Sequence, residues 1–346
     1  MGGMKDQTSL SRKRPVTLAD VALLAGASSK TVSRVVNRDA NVSQATRQRV
    51  EAAILETGYR VNQAARALAA ARSYLIGLFL PSIPSFYQGE ILRGAINACR
   101  QHGYHLIVEE IDIDAATVVD SYLNGLRGAG CDAFLLAPPV CDDEALLDAL
   151  DRDGVRYVRV SPAKRPERST ALFADDRQGV EQLVHHLWDH GRRRFALIAG
   201  PTDHASALVR ESTFAETVEK LGGSVSAIQR RQPEWLGPMA EIGRDATLSL
   251  LANPAERPDA LFAFNDEAAI GAMTAARDLG LSVPDDISIV GFDDSYVAQL
   301  AWPPLTTVHQ PIADIAKRAI EIIATQEGQA SKPVYLPTHL VVRNSG

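Results

Sequence analysis

The sequence predicts a small all-α head followed by an α/β core of two doubly wound lobes. Helical spacing around a glycine turn runs from about residue 17 to residue 58, and short apolar runs later alternate with amphipathic stretches. That alternation restarts after residue 171. Alternating strands and helices are typical of parallel sheets covered by helices on both faces. The 346 residues, 46% hydrophobic and 23% charged, are enough for two or three domains.

The pattern also predicts the domain boundaries. We expect a disordered leader at 1–14, a helix-turn-helix domain at 15–61, a hinge helix and linker at 62–73, and the core at 74–346. Within the core, we expect lobe 1 at about 74–173 plus 312–330, and lobe 2 at about 174–311 plus 331–346.

Charge is distributed unevenly along the chain. Residues 1–72 hold 12 Lys and Arg against 5 Asp and Glu, whereas the remainder holds 24 against 37, for a net charge of −6. A basic head on an acidic body suits a head that meets a polyanion. Charge alone fits either a nucleic acid or a membrane surface.

Targeting signals and cysteine usage predict a cytoplasmic protein. No run of about 18 uncharged apolar residues occurs, and the N-terminus lacks the apolar stretch of a signal peptide. Cys99, Cys131 and Cys141 form no C-x-x-C pair, so we expect reduced thiols.

Three short helices are predicted in the head. Thr17 and Asp20 fit a capping box for the first helix, which Gly26 ends. Its apolar face is expected to include Val21, Leu24 and Ala25. Ser28 caps a second helix that runs to about Asn37. Ser43 caps a third, which ends at Gly58. Two helices around a glycine turn make a helix-turn-helix, although spacing alone also fits a three-helix bundle with a solvated basic face.

The residues of the head favour the first interpretation. The sequence runs Thr17-Leu-Ala-Asp-Val-Ala, Ala25-Gly-Ala-Ser, Thr31-Val-Ser-Arg-Val-Val-Asn37, Val42-Ser, Thr46-Arg and Gly58-Tyr-x-x-Asn62. This stretch closely resembles the head of the lactose-repressor (LacI) family, whose second helix enters the major groove. The resemblance implies that Ser29, Lys30 and Arg34 face base edges of a pseudo-palindromic operator. It implies further DNA contacts, many of them to phosphates, at Thr17, Ser28, Thr31, Ser33, Asn37, Asn41, Ser43, Thr46, Tyr59, Asn62 and Ala65.

The segment 62–72 is rich in strong helix formers but is marginal as an isolated helix. The resemblance implies that two such hinge helices pair in the minor groove of bound DNA, where Leu68 wedges between central base pairs. The alternative is an Ala-rich linker whose one leucine touches the core.

Motifs of the core carry the same resemblance, and through it a likeness to the periplasmic sugar-binding proteins. They are Leu-Arg-Gly94, Gly103-Tyr, Asp175-Asp, Ala199-Gly-Pro, Asn265-Asp-Glu-Ala-Ala-Ile-Gly271, Val283-Pro-Asp-Asp-Ile-Ser-Ile-Val-Gly-Phe-Asp-Asp294 and Pro304-Leu-Thr-Thr-Val-x-Gln310. The resemblance therefore covers about residue 16 to the end. It implies a periplasmic-binding-protein-like core with an effector in the cleft between its lobes.

The expected effector site combines polar and aromatic side chains. Arg210, Asn265 and Asp293 match the family's effector-binding arginine, asparagine and aspartate, and Trp235 and Gln310 fall near further contacts. Guanidinium, amide and carboxylate groups suit the hydroxyls of a sugar, and an indole suits its C–H surface. Phe86 and Tyr87 are weaker candidates for the same cleft. The alternatives are a half-buried loop aromatic for Trp235, and loop capping for Asn265 and Asp293.

Arg159 departs from the family pattern, which commonly has a neutral or acidic residue there. An inward guanidinium would favour a phosphorylated or carboxylated effector, whereas an outward one would lie in solvent. The effector class is therefore a sugar or a sugar phosphate.

Catalytic, metal and cofactor motifs are weak. Gly128-x-Gly130-x-x-Ala133 precedes a strand, whereas a dinucleotide site needs its glycines after one. His186 and His190 lie four apart without the glutamate of H-E-x-x-H or a third ligand. The sequence has no P-loop and no G-x-S-x-G, so we expect no enzyme, cofactor or metal. The competing hypotheses are a two-lobed enzyme acting on a sugar and a sugar receptor that never touches DNA.

The sequence therefore predicts a homodimeric repressor of a carbohydrate-utilisation operon, paired through the first lobe and controlled by its effector. No leucine heptad follows Val341, so we do not expect a tetramer built on a C-terminal coiled coil.

Overall fold

The computed structural model describes residues 14, 16–36, 41–60, 67, 72–81, 85–111, 118–230, 238–325 and 333–346. The chain divides into two compact units, Met1–Ser73 and Tyr74–Gly346. Five candidate site residues lie outside the described residues, namely Asn37, Asn62, Ala65, Leu68 and Trp235.

The first unit, the head, contains three helices: α1 (Leu18–Ala25), α2 (Ser29–Val36) and α3 (Gln44–Thr57). Thr17 and Asp20 form the predicted capping box on α1, and Gly26 ends that helix in the left-handed conformation. The three helices enclose a small core of Val21, Ala22, Ala25, Val32, Val35, Val50 and Ala53.

The prediction that Leu24 lies on the inward face of α1 was wrong. Leu24 is 48% exposed, and Ala22 takes the inward position beside Val21 and Ala25. The inward face of α1 therefore consists of positions i, i+1 and i+4, and a leucine at i+3 falls at its edge.

Lobe 1 of the second unit is a six-stranded sheet with helices on both faces. Its elements are β1 (Leu75–Pro81), α4 (Phe86–His102), β2 (His105–Ile111), α5 (Val118–Ser121), a π-helical turn (Tyr122–Leu126), α6 (Arg127–Ala129), β3 (Ala133–Leu136), α7 (Glu144–Asp153), β4 (Arg156–Val160) and β5 (Thr170–Ala174), with α13 (Ile312–Thr325) and β11 (Val334–Leu336) added from the C-terminal part. The strand order is β11-β5-β4-β3-β1-β2, and every neighbouring pair is parallel.

Lobe 2 repeats this architecture on a smaller scale. Its elements are α8 (Asp176–Asp189), β6 (Arg194–Ile198), α9 (Ala205–Lys220), β7 (Ser224–Gln229), α10 (Met239–Leu250), β8 (Ala260–Ala263), α11 (Asp266–Asp278), β9 (Ser288–Val290), α12 (Tyr296–Leu300), β10 (Thr307–His309) and β12 (His339–Val341). The parallel sheet has the order β7-β6-β8-β9, and β10 and β12 form an antiparallel pair beside it.

The C-terminal segment differs from the predicted division of the lobes. Residues 331–346 were expected to lie in lobe 2, but β11 pairs with β5 and so belongs to the sheet of lobe 1. Only the part from β12 onwards joins lobe 2. A three-residue edge strand has too few positions for its alternation to be read from sequence.

The chain therefore crosses between the lobes three times: after β5, after β10 and after β11. Two of these crossovers are bonded to each other. The Asp175 amide donates to the Leu336 carbonyl (2.8 Å), and the Thr338 hydroxyl donates to the Asp175 carbonyl (2.7 Å). In the described part of the chain, no helix is both long enough and apolar enough to cross a membrane.

Candidate functional site

A cavity of about 700 Å³ lies between the two lobes, at the carboxyl ends of their strands. Helices α4, α9, α10 and α11 begin at or beside its wall. All six described candidates for the effector site line this cavity: Phe86, Tyr87, Arg210, Asn265, Asp293 and Gln310. The topology thus brings together side chains that are up to 224 residues apart in the sequence.

Arg210, on α9, is the buried cation of the cavity. Its Nε donates to Asp176 Oδ1 and its Nη1 to the Phe264 carbonyl, both at 2.8 Å. The guanidinium carbon lies 3.6 Å from the ring centroid of Phe292. These contacts fix the plane of the guanidinium before any ligand enters.

Asp293 follows β9 and faces the same cation. Its Oδ1 accepts a hydrogen bond from Gln310 Nε2 (2.9 Å) and lies 4.0 Å from Arg210 Nη1. Its backbone has a φ of 120°, and its amide donates to the Val308 carbonyl (2.9 Å). Burial raises the pKa of Asp293 well above its usual range, while Arg210 opposes that rise. A strained backbone held by neighbours is a common feature of ligand sites.

Asp266 fixes the loop that carries Asp293, and sequence reasoning did not single it out. One carboxylate oxygen accepts from the Thr307 hydroxyl (2.5 Å) and the other from the Ser295 amide (2.7 Å). Burial raises its pKa from 3.8 to about 6. The only sequence signal for this role was its place after Asn265 in the quoted motif.

Asn265 both caps a helix and lines the cavity. Its Oδ1 accepts a hydrogen bond from the Ala268 amide (2.9 Å), which caps α11, and the residue also lines the cavity. Because the oxygen serves the cap, the amide nitrogen is the group best suited to a ligand.

Two further lining residues, His204 and Glu267, were not identified from sequence. His204 Nδ1 accepts a hydrogen bond from the Ala207 amide (3.3 Å), and burial lowers the His204 pKa to about 3. The imidazole is therefore neutral near pH 7. Glu267 Oε1 accepts a hydrogen bond from the Phe86 amide of the opposite lobe (3.3 Å). The His204 bond is a local helix cap, whereas the Glu267 bond depends on the folded cleft and has no local sequence signal.

Apolar groups form much of the remaining wall. Phe86, Tyr87 and Phe264 supply rings, Met239 supplies a thioether, and burial raises the pKa of Tyr87. Five prolines complete this surface: Pro81, Pro138, Pro139, Pro201 and Pro238. Few fixed polar groups on an apolar wall are typical of small-molecule sites.

Arg159 takes neither of the two orientations that the sequence left open, because it is absent from the cavity lining and is not exposed to solvent. Its side chain is fully buried in lobe 1, where it donates to Ser169 Oγ (3.0 Å) and to the carbonyls of Cys141 (3.3 Å), Lys164 (3.0 Å) and Arg165. Asp142 lies 3.6 Å away. These groups compensate the buried charge internally, which removes the reason to expect an anionic effector from this residue.

The start of α2 is exposed on the head, and the capping residues of α2 and α3 are hydrogen-bonded within the head. Ser29, Lys30 and Arg34 are exposed on that helix. Ser28 Oγ accepts from the Thr31 amide (3.1 Å), and Ser43 Oγ accepts from the Thr46 amide (3.4 Å). Ser33 is half-buried on α2, and Asn41 is exposed. Tyr59 is half-buried against the head core.

Thr17 is engaged in the capping box of α1. Its amide and its hydroxyl both donate to Asp20 Oδ2 at 2.7 Å, and these bonds lower the pKa of Asp20.

The histidines on α8 show no metal-site geometry. His190 Nδ1 lies 2.7 Å from the His186 carbonyl, and the two rings are 4.3 Å apart. Among the described residues, no group of three or more His, Cys, Asp and Glu is arranged to hold a metal ion.

Two family models match the chain in the order of its two units. Residues 17–62 match the bacterial regulatory proteins of the lacI family, and residues 184–346 match a periplasmic binding protein-like domain. The HTH-type transcriptional regulator DegA of Bacillus subtilis is 31% identical over 334 residues, which cover 95% of this chain and 97% of DegA. The chain belongs to the LacI family.

Solved structures of LacI-family proteins share the whole architecture. The complex of the transcriptional regulator CelR with cellobiose aligns with a TM-score of 0.70 at 30% identity, covering 96% of this chain and 100% of CelR. The Lac repressor dimer bound to operator and an anti-inducer aligns with a TM-score of 0.74 at 29% identity, covering 96% and 99%. These relatives are transcription regulators, so this LacI-family chain is a DNA-binding regulator and not an enzyme.

Proposed function

We propose that this LacI-family protein is a repressor of a carbohydrate-utilisation operon and that a sugar bound between its lobes controls its affinity for DNA. The observation that carries the proposal is the cleft. It places Arg210, Asn265, Asp293 and Gln310 around one cavity, in a chain whose head matches a DNA-binding family.

The polar groups of the cleft suit the hydroxyls of an uncharged sugar ring. Asp293 and Gln310 offer acceptors and donors for hydroxyls, and Asn265 offers an amide nitrogen. Phe86 and Phe264 suit the C–H faces of the ring. The structure of CelR is a complex with cellobiose, which supports a sugar as the effector class. Because Arg159 is turned away, we favour a sugar over a sugar phosphate.

The head is proposed to read an operator through α2. Ser29, Lys30 and Arg34 are exposed on one short helix, where side chains of this kind can reach base edges in the major groove. Ser28, Thr31, Ser33, Asn41, Ser43 and Thr46 are proposed to hold phosphates. The proposed DNA contacts also include four residues outside the described part of the chain: Asn37, Asn62, Ala65 and Leu68. Such a regulator acts where the chromosome lies, in the cytoplasm.

We propose a homodimer on a pseudo-palindromic operator. The Lac repressor structure is a dimer on its operator. Lobe 2 of this chain carries three exposed apolar side chains close together in sequence: Tyr296 (66%), Leu300 (68%) and Trp302 (93%). A large exposed apolar patch usually marks a contact surface, so we place part of the dimer contact on lobe 2 in addition to lobe 1.

Thermal unfolding in the presence of sugars tests effector binding. The full-length protein is heated alone and with lactose, cellobiose, ribose, glucose and glucose 6-phosphate. A bound sugar at 100 times its Kd stabilises the core by about 2.7 kcal/mol. We expect one uncharged sugar to raise Tm in the wild type and to lose this effect in Asp293→Ala and Arg210→Ala. A shift that survives both substitutions would place the ligand elsewhere.

A further inference from the structure

A direct hydrogen bond joins the two lobes beside the cavity. The Phe86 amide, at the start of α4 in lobe 1, donates to Glu267 Oε1, in the first turn of α11 in lobe 2 (3.3 Å). Both residues line the cavity and are 181 residues apart. This bond belongs to neither lobe alone, so it exists only while the lobes are close together.

The bond satisfies an amide that its own helix leaves unpaired. The first amides of a helix have no acceptor within it. In α4, Ser85 Oγ accepts from the Gln88 amide (3.3 Å), and the Glu267 carboxylate serves the Phe86 amide. A carboxylate is favoured at a helix N-terminus, and Glu267 also lies in the first turn of its own helix. The positive ends of both helices therefore hold its charge in this position.

The start of α11, which carries Glu267, is held in place by several contacts within lobe 2. Asn265 caps α11, and the buried Asp266 binds Ser295 and Thr307. Helix α11 packs so closely on α10 that a Cβ added to Gly271 would lie 1.8 Å from the Ala240 carbonyl oxygen. The backbone at Glu267 is therefore fixed to lobe 2. Its carboxylate can bind the Phe86 amide only when lobe 1 is close by.

We propose that Glu267 is a positioning residue that latches the lobes together in the absence of effector. It stabilises the closed core by binding the N-terminus of α4. It therefore sets the fraction of molecules that are closed before ligand binds. The apparent affinity for any effector that needs the closed core scales with that fraction. The latch concerns the effector-free protein, and it holds whatever the effector is.

Distances between spin labels in the ligand-free, full-length protein test the latch. Labels are placed on Ala145→Cys, at the start of α7 in lobe 1, and on Asp245→Cys, in α10 in lobe 2, both exposed positions. The native Cys99, Cys131 and Cys141 are buried, so labelling is confined to the new thiols. An excess of unlabelled protein removes distances between chains of an oligomer.

In the labelled parent, we expect a population at short distance, which corresponds to the closed core. In Glu267→Ala, the ratio of closed to open molecules should be about tenfold lower, because a hydrogen bond to a charged group is lost. Glu267→Gln, which keeps an acceptor oxygen, should restore part of the ratio. Glu241→Ala removes a first-turn acid from the neighbouring α10 and should change nothing.

Unchanged distances in Glu267→Ala would overturn the latch, and so would a parent that is fully open without ligand. Thermal unfolding is measured alongside, and a closed population lost at unchanged Tm separates latching from general destabilisation. The readout uses neither sugar nor DNA, so a failure of the latch is distinguishable from a failure of the proposed effector.

Discussion

At the scale of single residues, buried charge dominates the floor of the cleft. Arg210 faces two carboxylates, Asp176 at 2.8 Å and Asp293 at 4.0 Å, and Asp266 lies buried behind the loop of Asp293. Burying charges is costly unless they are paired and hydrogen-bonded. Arg210 meets this condition through Asp176 and the Phe264 carbonyl, so its charge is held in place within the cavity wall.

The first prediction concerns the pH dependence of the core through Asp266. Its folded pKa is about 6 against 3.8 for the ordinary group, so the folded protein binds this proton more tightly than the unfolded chain does. The Asp266 contribution to the unfolding free energy should therefore fall as pH rises from about 4 to about 6. Neutral His204, with a pKa of about 3, contributes a slope of opposite sign in the acid range.

The measurement is therefore a difference between wild type and Asp266→Asn. Denaturant unfolding is followed by tryptophan fluorescence, which reports the core because Trp188, Trp235 and Trp302 all lie in 74–346. The wild-type unfolding free energy, taken relative to the variant, should decline from pH 4 to 6 and then level off. Parallel curves would show that Asp266 is not the titrating group.

The second prediction concerns base recognition by α2. Arg34→Ala and Lys30→Ala should each lower the preference for selected over random DNA by roughly 1 to 3 kcal/mol per base contact. A binding site is first selected from a randomised duplex pool with the wild type, and competition gel shifts then compare the variants. Lys317→Ala, exposed on α13 of the core, is the matched control. Undiminished discrimination in both head variants would refute the assignment of α2.

At the scale of elements, close helix packing supports the site. Helices α10 and α11 meet at Gly243 and Gly271, where added Cβ atoms would lie 2.0 Å and 1.8 Å from backbone carbonyl oxygens. Both helices begin at the cleft, so this contact sets the distance between Met239 and Glu267 on its wall.

The third prediction uses this packing. Gly271→Ala should destabilise the core by roughly 1–3 kcal/mol, because the added methyl group forces the helices apart. Gly89→Ala is the control, since that glycine lies exposed in α4 with no atom within 4 Å of an added Cβ. It should stabilise the core by roughly 0.5–1 kcal/mol through helix propensity. Equal effects of the two substitutions in denaturant unfolding would contradict the packing argument.

The sequence predicted most elements because their signals are local. The capping box of Thr17, the glycine after α1 and the alternating strands of both lobes all depend on neighbouring residues. The family resemblance also named Arg210, Asn265, Asp293 and Gln310, and all four line the cavity. Sequence reasoning missed β11 in lobe 1 and the contact of Glu267 with Phe86, because both depend on pairing across more than 150 residues. The direction of Arg159 stayed open from sequence, because its buried partners Ser169, Cys141 and Lys164 are brought to it only by the fold.

At the scale of the whole molecule, an exposed apolar surface calls for a partner. Tyr296, Leu300 and Trp302 lie within seven residues of lobe 2 and are at least 66% exposed. Isolated apolar side chains are ordinary on a protein surface, but a group of this size usually forms contacts.

The fourth prediction is that this surface contributes to a homodimer. Trp302→Glu should raise the dimer dissociation constant by tenfold or more, because it places a charge in an apolar interface, whereas Leu279→Glu, at an exposed leucine after α11, should not. Sedimentation velocity over a concentration series measures both. A wild-type monomer, or a variant dimer as tight as the parent, would contradict the assignment.

Binding of a sugar in the cleft should change the affinity of the head for DNA. The affinity of the full-length protein for its selected DNA is measured with and without the stabilising sugar, in the wild type and in Asp293→Asn. We predict a change of about 5- to 150-fold in the wild type, the usual range of coupling between two sites, and none in the variant. DNA affinity that is unchanged at saturating sugar in the wild type would contradict the account.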